Sequence, residues 1–174
     1  LVATAALIEL DGIARRVVLC PPDLSEEHFS YIIDTAEVDD VISDQKIVHP
    51  ATPRRLCFYP CSRNRMPMEA ERPSYSATEW ILLTSGTTGA PKGVAYSHRS
   101  TWLQSLAVCS GNAYALSERD NALLAVPMFH ANAWSLPFAC WQVGAEMLLV
   151  QEFLQGPPLA RLIDAERISF GAGV

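Results

Sequence analysis

Ten consecutive residues, Thr84-Ser85-Gly86-Thr87-Thr88-Gly89-Ala90-Pro91-Lys92-Gly93, combine the groups needed to hold a polyphosphate. Glycine lets the backbone approach an anion closely because it has no Cβ. Successive N–H groups in such a loop form an anion-binding concavity. The hydroxyls of Ser85, Thr87 and Thr88 add donors, and Lys92 adds a mobile positive charge. The loop departs from the common nucleotide pattern G-x-x-x-x-G-K-[ST]. Counted from Gly86, Pro91 stands where the second glycine is required, and Gly93 succeeds the lysine in place of a Ser or Thr.

The elements that must position this loop are strands. The apolar run Ile81-Leu82-Leu83 precedes it, and Gly93-Val94-Ala95-Tyr96-Ser97 continues from it with strand character. The loop is therefore expected to join two strands, so a helix dipole is not its main anion attractor. A second cluster of chemically useful residues lies downstream in Val126-Pro127-Met128-Phe129-His130-Ala131-Asn132-Ala133-Trp134. It comes directly after the continuously apolar Ala122–Val126, the pattern of a strand buried on both faces, which Pro127 ends. Trp134, Pro137, Phe138 and Trp141 continue at helical spacing.

Both stretches resemble the adenylate-forming enzymes, a superfamily of acyl-CoA synthetases, luciferases and peptide-synthetase adenylation domains. The first is similar to the family's Tyr-Thr-Ser-Gly-Thr-Thr-Gly-x-Pro-Lys-Gly-Val signature, with Leu83 in place of the aromatic first member. Ser97-His98-Arg99 also fits the residues usual just beyond that signature. The second stretch resembles the fatty acyl-CoA synthetase branch. The resemblance implies an ATP-dependent ligase that converts a carboxylic acid, of medium or long chain length, into an acyl-adenylate with release of pyrophosphate and then transfers it to coenzyme A. It further implies that Thr84, Ser85, Gly86, Thr87, Thr88, Gly89 and Lys92 bind nucleotide phosphates and that Thr84 lies near Mg²⁺. By the same resemblance Lys92 and His130 serve catalysis, and His130, Ala131 and Trp134 border the acyl pocket. Two alternatives remain open: a nucleotide-binding remnant that does not ligate, and a luciferase-like oxygenase acting on its own adenylate.

Elsewhere the chain alternates short strands and helices. Val17-Val18-Leu19 is a short strand stopped by Pro21-Pro22. Ser25 caps a helix with Glu26 and Glu27 in its first turn and Phe29, Ile32, Ile33 and Ala36 along one face, ended by Asp39-Asp40. Val41-Ile42 starts another strand, which completes a β-α-β unit over residues 1–43. Residues 44–78 carry five prolines and sustain neither period, so they are expected to form an irregular surface connection. Residues 79–174 form the phosphate-loop and acyl-pocket region. Within them, Ser97 or Ser100 is expected to cap a helix bearing Trp102, Leu106 and Cys109 on one face, with Leu103 and Ala107 beside them, and Gly111-Asn112 to stop it. Gly144 turns the chain into a strand at Met147–Val150. Pro157-Pro158 opens a helix with Leu159, Leu162 and Ile163 inward, and Ile168–Phe170 is the next strand. The alternation predicts an α/β fold of layered sheets with flanking helices, as in the N-terminal domain of an adenylate-forming enzyme.

Composition is consistent with this. The 174 residues are 49% apolar and 18% charged, typical of a globular domain. A net charge of −6, with Lys and Arg in no block longer than a pair, argues against a nucleic-acid surface. No apolar run is long enough to cross a bilayer. The five cysteines form no disulfide framework, which suits a reducing compartment and a cytoplasmic location. Cys57-x-x-x-Cys61 with His49 upstream lacks a fourth ligand for a closed zinc site. The start at Leu1 and the lack of the superfamily's Tyr-Gly-x-Thr-Glu segment, ribose acid and C-terminal lysine lead to the expectation of a fragment of an N-terminal domain, inactive in isolation.

Overall fold

A computed structural model describes residues 2–43, 55–58, 77–84, 91–130, 133, 135–150 and 156–171. The chain divides into two compact units, residues 1–95 and 96–174.

In the first unit, helix α1 (Val2–Leu10) leads into strand β1 (Arg16–Leu19). This helix has no counterpart among the elements expected from the sequence, because residues 2–10 are apolar on most sides and show no single stripe. Leu7 and Thr4 anchor it and are buried. Helix α2 (Glu26–Thr35) is capped as expected, with the His28 N–H donating to Ser25 Oγ at 3.3 Å. Ile32 is its buried residue, and Phe29, Ile33 and Ala36 are half-buried beside it.

The helix ends earlier than Asp39-Asp40. Glu37 takes a left-handed backbone (φ 52°), and the Val38 N–H reaches back to Ile33 O at 3.0 Å. This is the closure that usually places glycine at the turn, here made by a glutamate. Asp40 instead opens strand β2 (Asp40–Ser43). β2 pairs in parallel with β3 (Arg55–Phe58), a strand inside the stretch expected to be an irregular connection. Only four residues long and flanked by prolines, it offers too short a run for a period to show.

Strand β4 (Glu79–Thr84) lies between β1 and β5 (Lys92–Tyr96). β1 and β4 run parallel, with Arg16 opposite Glu79 and Leu19 opposite Leu82. Trp80 and Leu82 are almost completely buried, while Ile81 and Leu83 on the alternate positions are half-buried. The start of β4 is clamped by buried Thr78. Its hydroxyl accepts from the Gly12 N–H at 3.0 Å and donates to Ala14 O at 2.7 Å. Arg16 adds a charge-assisted contact to Glu79 Oε2, through Nε at 3.1 Å and Nη2 at 3.0 Å.

The second unit contains helix α3 (His98–Cys109), strand β6 (Asn121–Leu124), helix α4 (Leu136–Val143), strand β7 (Glu146–Leu149), helix α5 (Gly156–Ala165) and strand β8 (Phe170–Gly171). The sheet order is β7-β6-β8, all parallel. The connections through α4 and α5 are those a parallel sheet requires. The core gathers Val108, Leu116, Ala122, Leu124, Leu136, Ala139, Cys140 and Ala145. Gly144 (φ 78°) ends α4, with the Ala145 N–H closing on Cys140 O at 3.0 Å.

Two faces differ from expectation. α3 is capped by Ser97, whose Oγ accepts from the Ser100 N–H at 3.1 Å, but the helix turns Thr101, Ser105 and Val108 inward. Trp102, Leu103 and Leu106 are exposed, between 48% and 57%. Burying the hydroxyls costs little because each bonds its own helix: Thr101 Oγ1 donates to Ser97 O at 3.2 Å and Ser105 Oγ to Thr101 O at 2.8 Å. On α5, Leu159 and Leu162 are only half-buried and Ile163 is exposed, so the face expected inward is not covered.

Candidate functional site

Thr84 is the last residue of β4 and Lys92 the first of β5, so the phosphate-type loop joins two neighbouring strands as its flanks predicted. Both residues are exposed. Thr84 Oγ1 donates to the Lys92 backbone O at 3.3 Å, which ties the two ends of the loop together. The residues between, including Ser85, Gly86, Thr87, Thr88 and Gly89, lie outside the described residues.

The close approach of the strands depends on Gly93. A Cβ placed there would stand 2.9 Å from Ile81 Cγ2, well inside van der Waals contact. No periodicity in the sequence signals this, since a glycine in a strand carries no burial pattern of its own.

His130 lies in the turn after β6 and is exposed. Its N–H bonds Pro127 O at 2.9 Å and its carbonyl accepts from the Ala133 N–H at 3.0 Å. The turn is fastened from below by buried Val126 and Ala133, and Met128 packs on the core. α4 begins at Leu136, with Phe138 and Trp141 edge to face at 5.4 Å, and Ala133 ahead of it is also helical. Ala131 and Trp134 lie outside the described residues.

Within its own sheet, each of these residues occupies the same kind of position. Thr84 stands at the carboxyl end of β4, which is parallel to β1, and His130 lies beyond the carboxyl end of β6, which is parallel to β7 and β8. In open α/β sheets ligands bind beyond the carboxyl ends of the strands. The amino end of β6 is built for a different purpose. Asp120 accepts from the Ser117 N–H (2.8 Å), Ser117 Oγ (2.9 Å) and Ser169 Oγ (2.8 Å), joining the starts of β6 and β8. These bonds hold its carboxyl below the usual carboxylate range, with the Ser169 hydroxyl the largest cause.

The donor set at Thr84 fits a magnesium ion that arrives with phosphates. Its hydrogen is engaged by Lys92 O, leaving the oxygen's lone pairs for a cation. Mg²⁺ prefers such hard oxygens and keeps most of its shell as water and phosphate. Among the described residues no group of three or more His, Cys, Asp or Glu forms a metal cage.

A family model described as AMP-binding enzyme matches residues 12–174. The chain belongs to this family. Among curated relatives of this AMP-binding chain, the medium-chain-fatty-acid–CoA ligase of Ectopseudomonas oleovorans is 35% identical over 180 residues, covering 88% of the chain and 33% of the ligase. The long-chain-fatty-acid–CoA ligase of Thermus thermophilus is 52% identical over 94 residues, covering 54% of the chain and 17% of that protein. The chain thus spans about a third or less of the length of these relatives. Among solved structures, o-succinylbenzoate CoA synthetase from Bacillus subtilis, in complex with its acyl-adenylate intermediate, matches 98% of the chain and 46% of its own with a TM-score of 0.76 at 18% identity. A long-chain-fatty-acid–CoA ligase from Archaeoglobus fulgidus matches 95% and 36% of the two chains with a TM-score of 0.73 at 20% identity. These two likenesses show the fold, one of sheets with flanking helices.

Proposed function

We propose that the protein to which this chain belongs activates a carboxylic acid, of the medium- or long-chain fatty class, as an acyl-adenylate and passes the acyl group to coenzyme A. The observation that carries this reading is the pairing of Thr84 and Lys92 at the carboxyl end of β4, on a loop rich in glycine and hydroxyls, within an AMP-binding family match.

In the first step a carboxylate oxygen attacks the α-phosphorus of ATP, and the bond from that phosphorus to the β-bridging oxygen breaks. Both reactants are anions, so the barrier falls when fixed donors neutralise charge on the leaving pyrophosphate and align the attack. Lys92 supplies a point charge, and Ser85, Gly86, Thr87, Thr88 and Gly89 supply hydroxyl and backbone donors. Thr84 offers its oxygen to the Mg²⁺ that accompanies the nucleotide; when bound, that ion neutralises phosphate charge. In the second step the coenzyme A thiol loses its proton and attacks the acyl carbonyl, and AMP leaves. No cysteine of the protein is needed for it. His130 is assigned to the adenylate and the acyl carboxylate, and Ala131 and Trp134 to the acyl pocket, on the resemblance of the segment that contains them. An apolar, aromatic lining suits a fatty chain. The partners are small molecules, and no nucleic acid is among them. No helix among the described residues is long and apolar enough to cross a membrane. Cys20, Cys109 and Cys140 are free thiols, which fits a reducing compartment, and we place the protein in the cytoplasm.

The test is acid-dependent exchange of labelled pyrophosphate into ATP by the full-length protein, followed by thioester formation on adding coenzyme A, across fatty acids of graded length. Exchange and thioester together are expected. Release of ADP and phosphate, or light and oxygen uptake in place of thioester, would overturn the assignment.

A further inference from the structure

We infer that Gly93 and Ile81 form a positioning contact that sets where Lys92 stands, an inference that rests on the role proposed above for Lys92. Gly93 is the residue immediately after Lys92 on β5, and it meets β4 at Ile81, three positions before Thr84. A Cβ at position 93 would lie 2.9 Å from Ile81 Cγ2. Carbon–carbon contacts are comfortable at about 3.5–4.0 Å, so an added methyl must move something by about 0.6–1 Å.

The Ile81 side chain is a poor candidate to move. Cγ2 is bonded directly to Cβ, and a β-branched residue in a strand is stiff at χ1. Ile81 is also half-buried, which limits the space for a new rotamer. The displacement therefore falls on β5 itself. Lys92 is its first residue and neighbours the point of contact, so it moves with the strand. The tie across the loop mouth has little slack: Thr84 Oγ1 to Lys92 O is already 3.3 Å, and a further 0.6 Å or so carries it beyond hydrogen-bond range. Without that tie the ends of the loop separate, and misplacement by about 1 Å of a group that orients a reacting centre costs up to about a hundredfold in rate. Gly93 and Ile81 touch no substrate; both act through Lys92 and Thr84.

The contact is tested in the full-length protein by Gly93→Ala alone and combined with Ile81→Leu. Leucine keeps the volume of isoleucine but lacks the branch methyl that the alanine would strike. Gly93→Ala is expected to slow acid-dependent pyrophosphate exchange 10- to 100-fold while thioester formation from preformed acyl-adenylate changes less than threefold. Ile81→Leu/Gly93→Ala is expected to recover exchange to within about threefold of the parent. A merely structural glycine would slow both half-reactions together, and the leucine would not restore them. Unchanged exchange in Gly93→Ala, or a loss that Ile81→Leu leaves in place, overturns the inference. The crystal structure of Gly93→Ala reads the contact independently of activity. Displacement of the Lys92 Cα by at least 0.5 Å supports it even if the parent shows no pyrophosphate exchange, which would refute only the proposed reaction. A Lys92 Cα that stays in place refutes the contact whatever the activity.

Discussion

Thr78 fastens the strand that ends in Thr84, and its replacement gives a sharp test of how that strand is held. Thr78→Val keeps shape and removes the hydroxyl, so the Gly12 N–H loses its acceptor at 3.0 Å and Ala14 O loses its donor at 2.7 Å. Thr78 is fully buried and Gly12 is buried, so water does not replace the first of these bonds, although it reaches half-buried Ala14 more easily. An unsatisfied buried polar group costs about 1–3 kcal/mol, which puts Thr78→Val at about 2–4 kcal/mol. Thr78→Ser keeps both bonds and loses one methyl, for about 1 kcal/mol. The Glu79 N–H bonds Arg15 O at 2.9 Å beside the clamp and reports on it directly. Its hydrogen exchange is expected to quicken roughly 30- to 900-fold in Thr78→Val and about fivefold in Thr78→Ser. If Thr78→Val exchanges no faster than Thr78→Ser, the hydroxyl is not what secures β4.

Asp120 gives a pH dependence with a definite sign. Its carboxyl is held below the ordinary value, so its contribution to stability is present above that value and lost as pH falls through the lowered one. Asp120→Asn should flatten the acid limb of stability measured by urea unfolding, and an unchanged limb would count against the network. Glu37 and Arg167 hold left-handed backbones (φ 52° and 50°) where glycine is the strain-free choice. Glu37→Gly and Arg167→Gly should each raise stability by about 0.5 kcal/mol, the relief of strain exceeding the added freedom of the unfolded chain. The Arg15–Glu37 pair lost in the first change spans 3.7 Å on well-exposed side chains and contributes little. Gly144→Ala should lower stability by about 1 kcal/mol, and a melting temperature that moves the other way in any of the three would contradict the strain assigned to these left-handed positions. Burial, with smaller contributions from Cys109 and Asp120, pushes the Cys140 thiol up to about 12. Iodoacetamide at pH 8 should leave it unmodified in the native protein, and its alkylation before unfolding would show the core to be open.

Much of the fold is legible where a residue type has one physical use. Proline after Cys20, serine before Glu26, glycine after Val143 and the unbroken apolar Ala122–Val126 each mark an element or its end. That a loop joins β4 to β5 is legible for the same reason, since its glycines and proline interrupt an apolar run. Legibility fails where context decides. On α3 the hydroxyls of Thr101 and Ser105 are satisfied by the helix itself, so small polar residues go inward and the larger apolar ones outward, against the ordinary pattern. β3 is too short and proline-flanked to show a period, and α1 is apolar on too many sides to show a stripe. At the candidate site, composition points to Thr84, Lys92 and His130, but the clamp at Thr78 and the contact of Gly93 with Ile81 join residues far apart in sequence or of no periodic character.

The central claim is that the loop from Thr84 to Lys92 holds the pyrophosphate that leaves. Lys92→Ala in the full-length protein separates this from a general structural role, because only the first half-reaction expels pyrophosphate. Loss of one charged hydrogen-bond partner, at about 1.5–3 kcal/mol, predicts that adenylation slows about 10- to 150-fold. Thioester formation from preformed acyl-adenylate is predicted to stay within about threefold of the parent rate. Equal slowing of both half-reactions would contradict the claim.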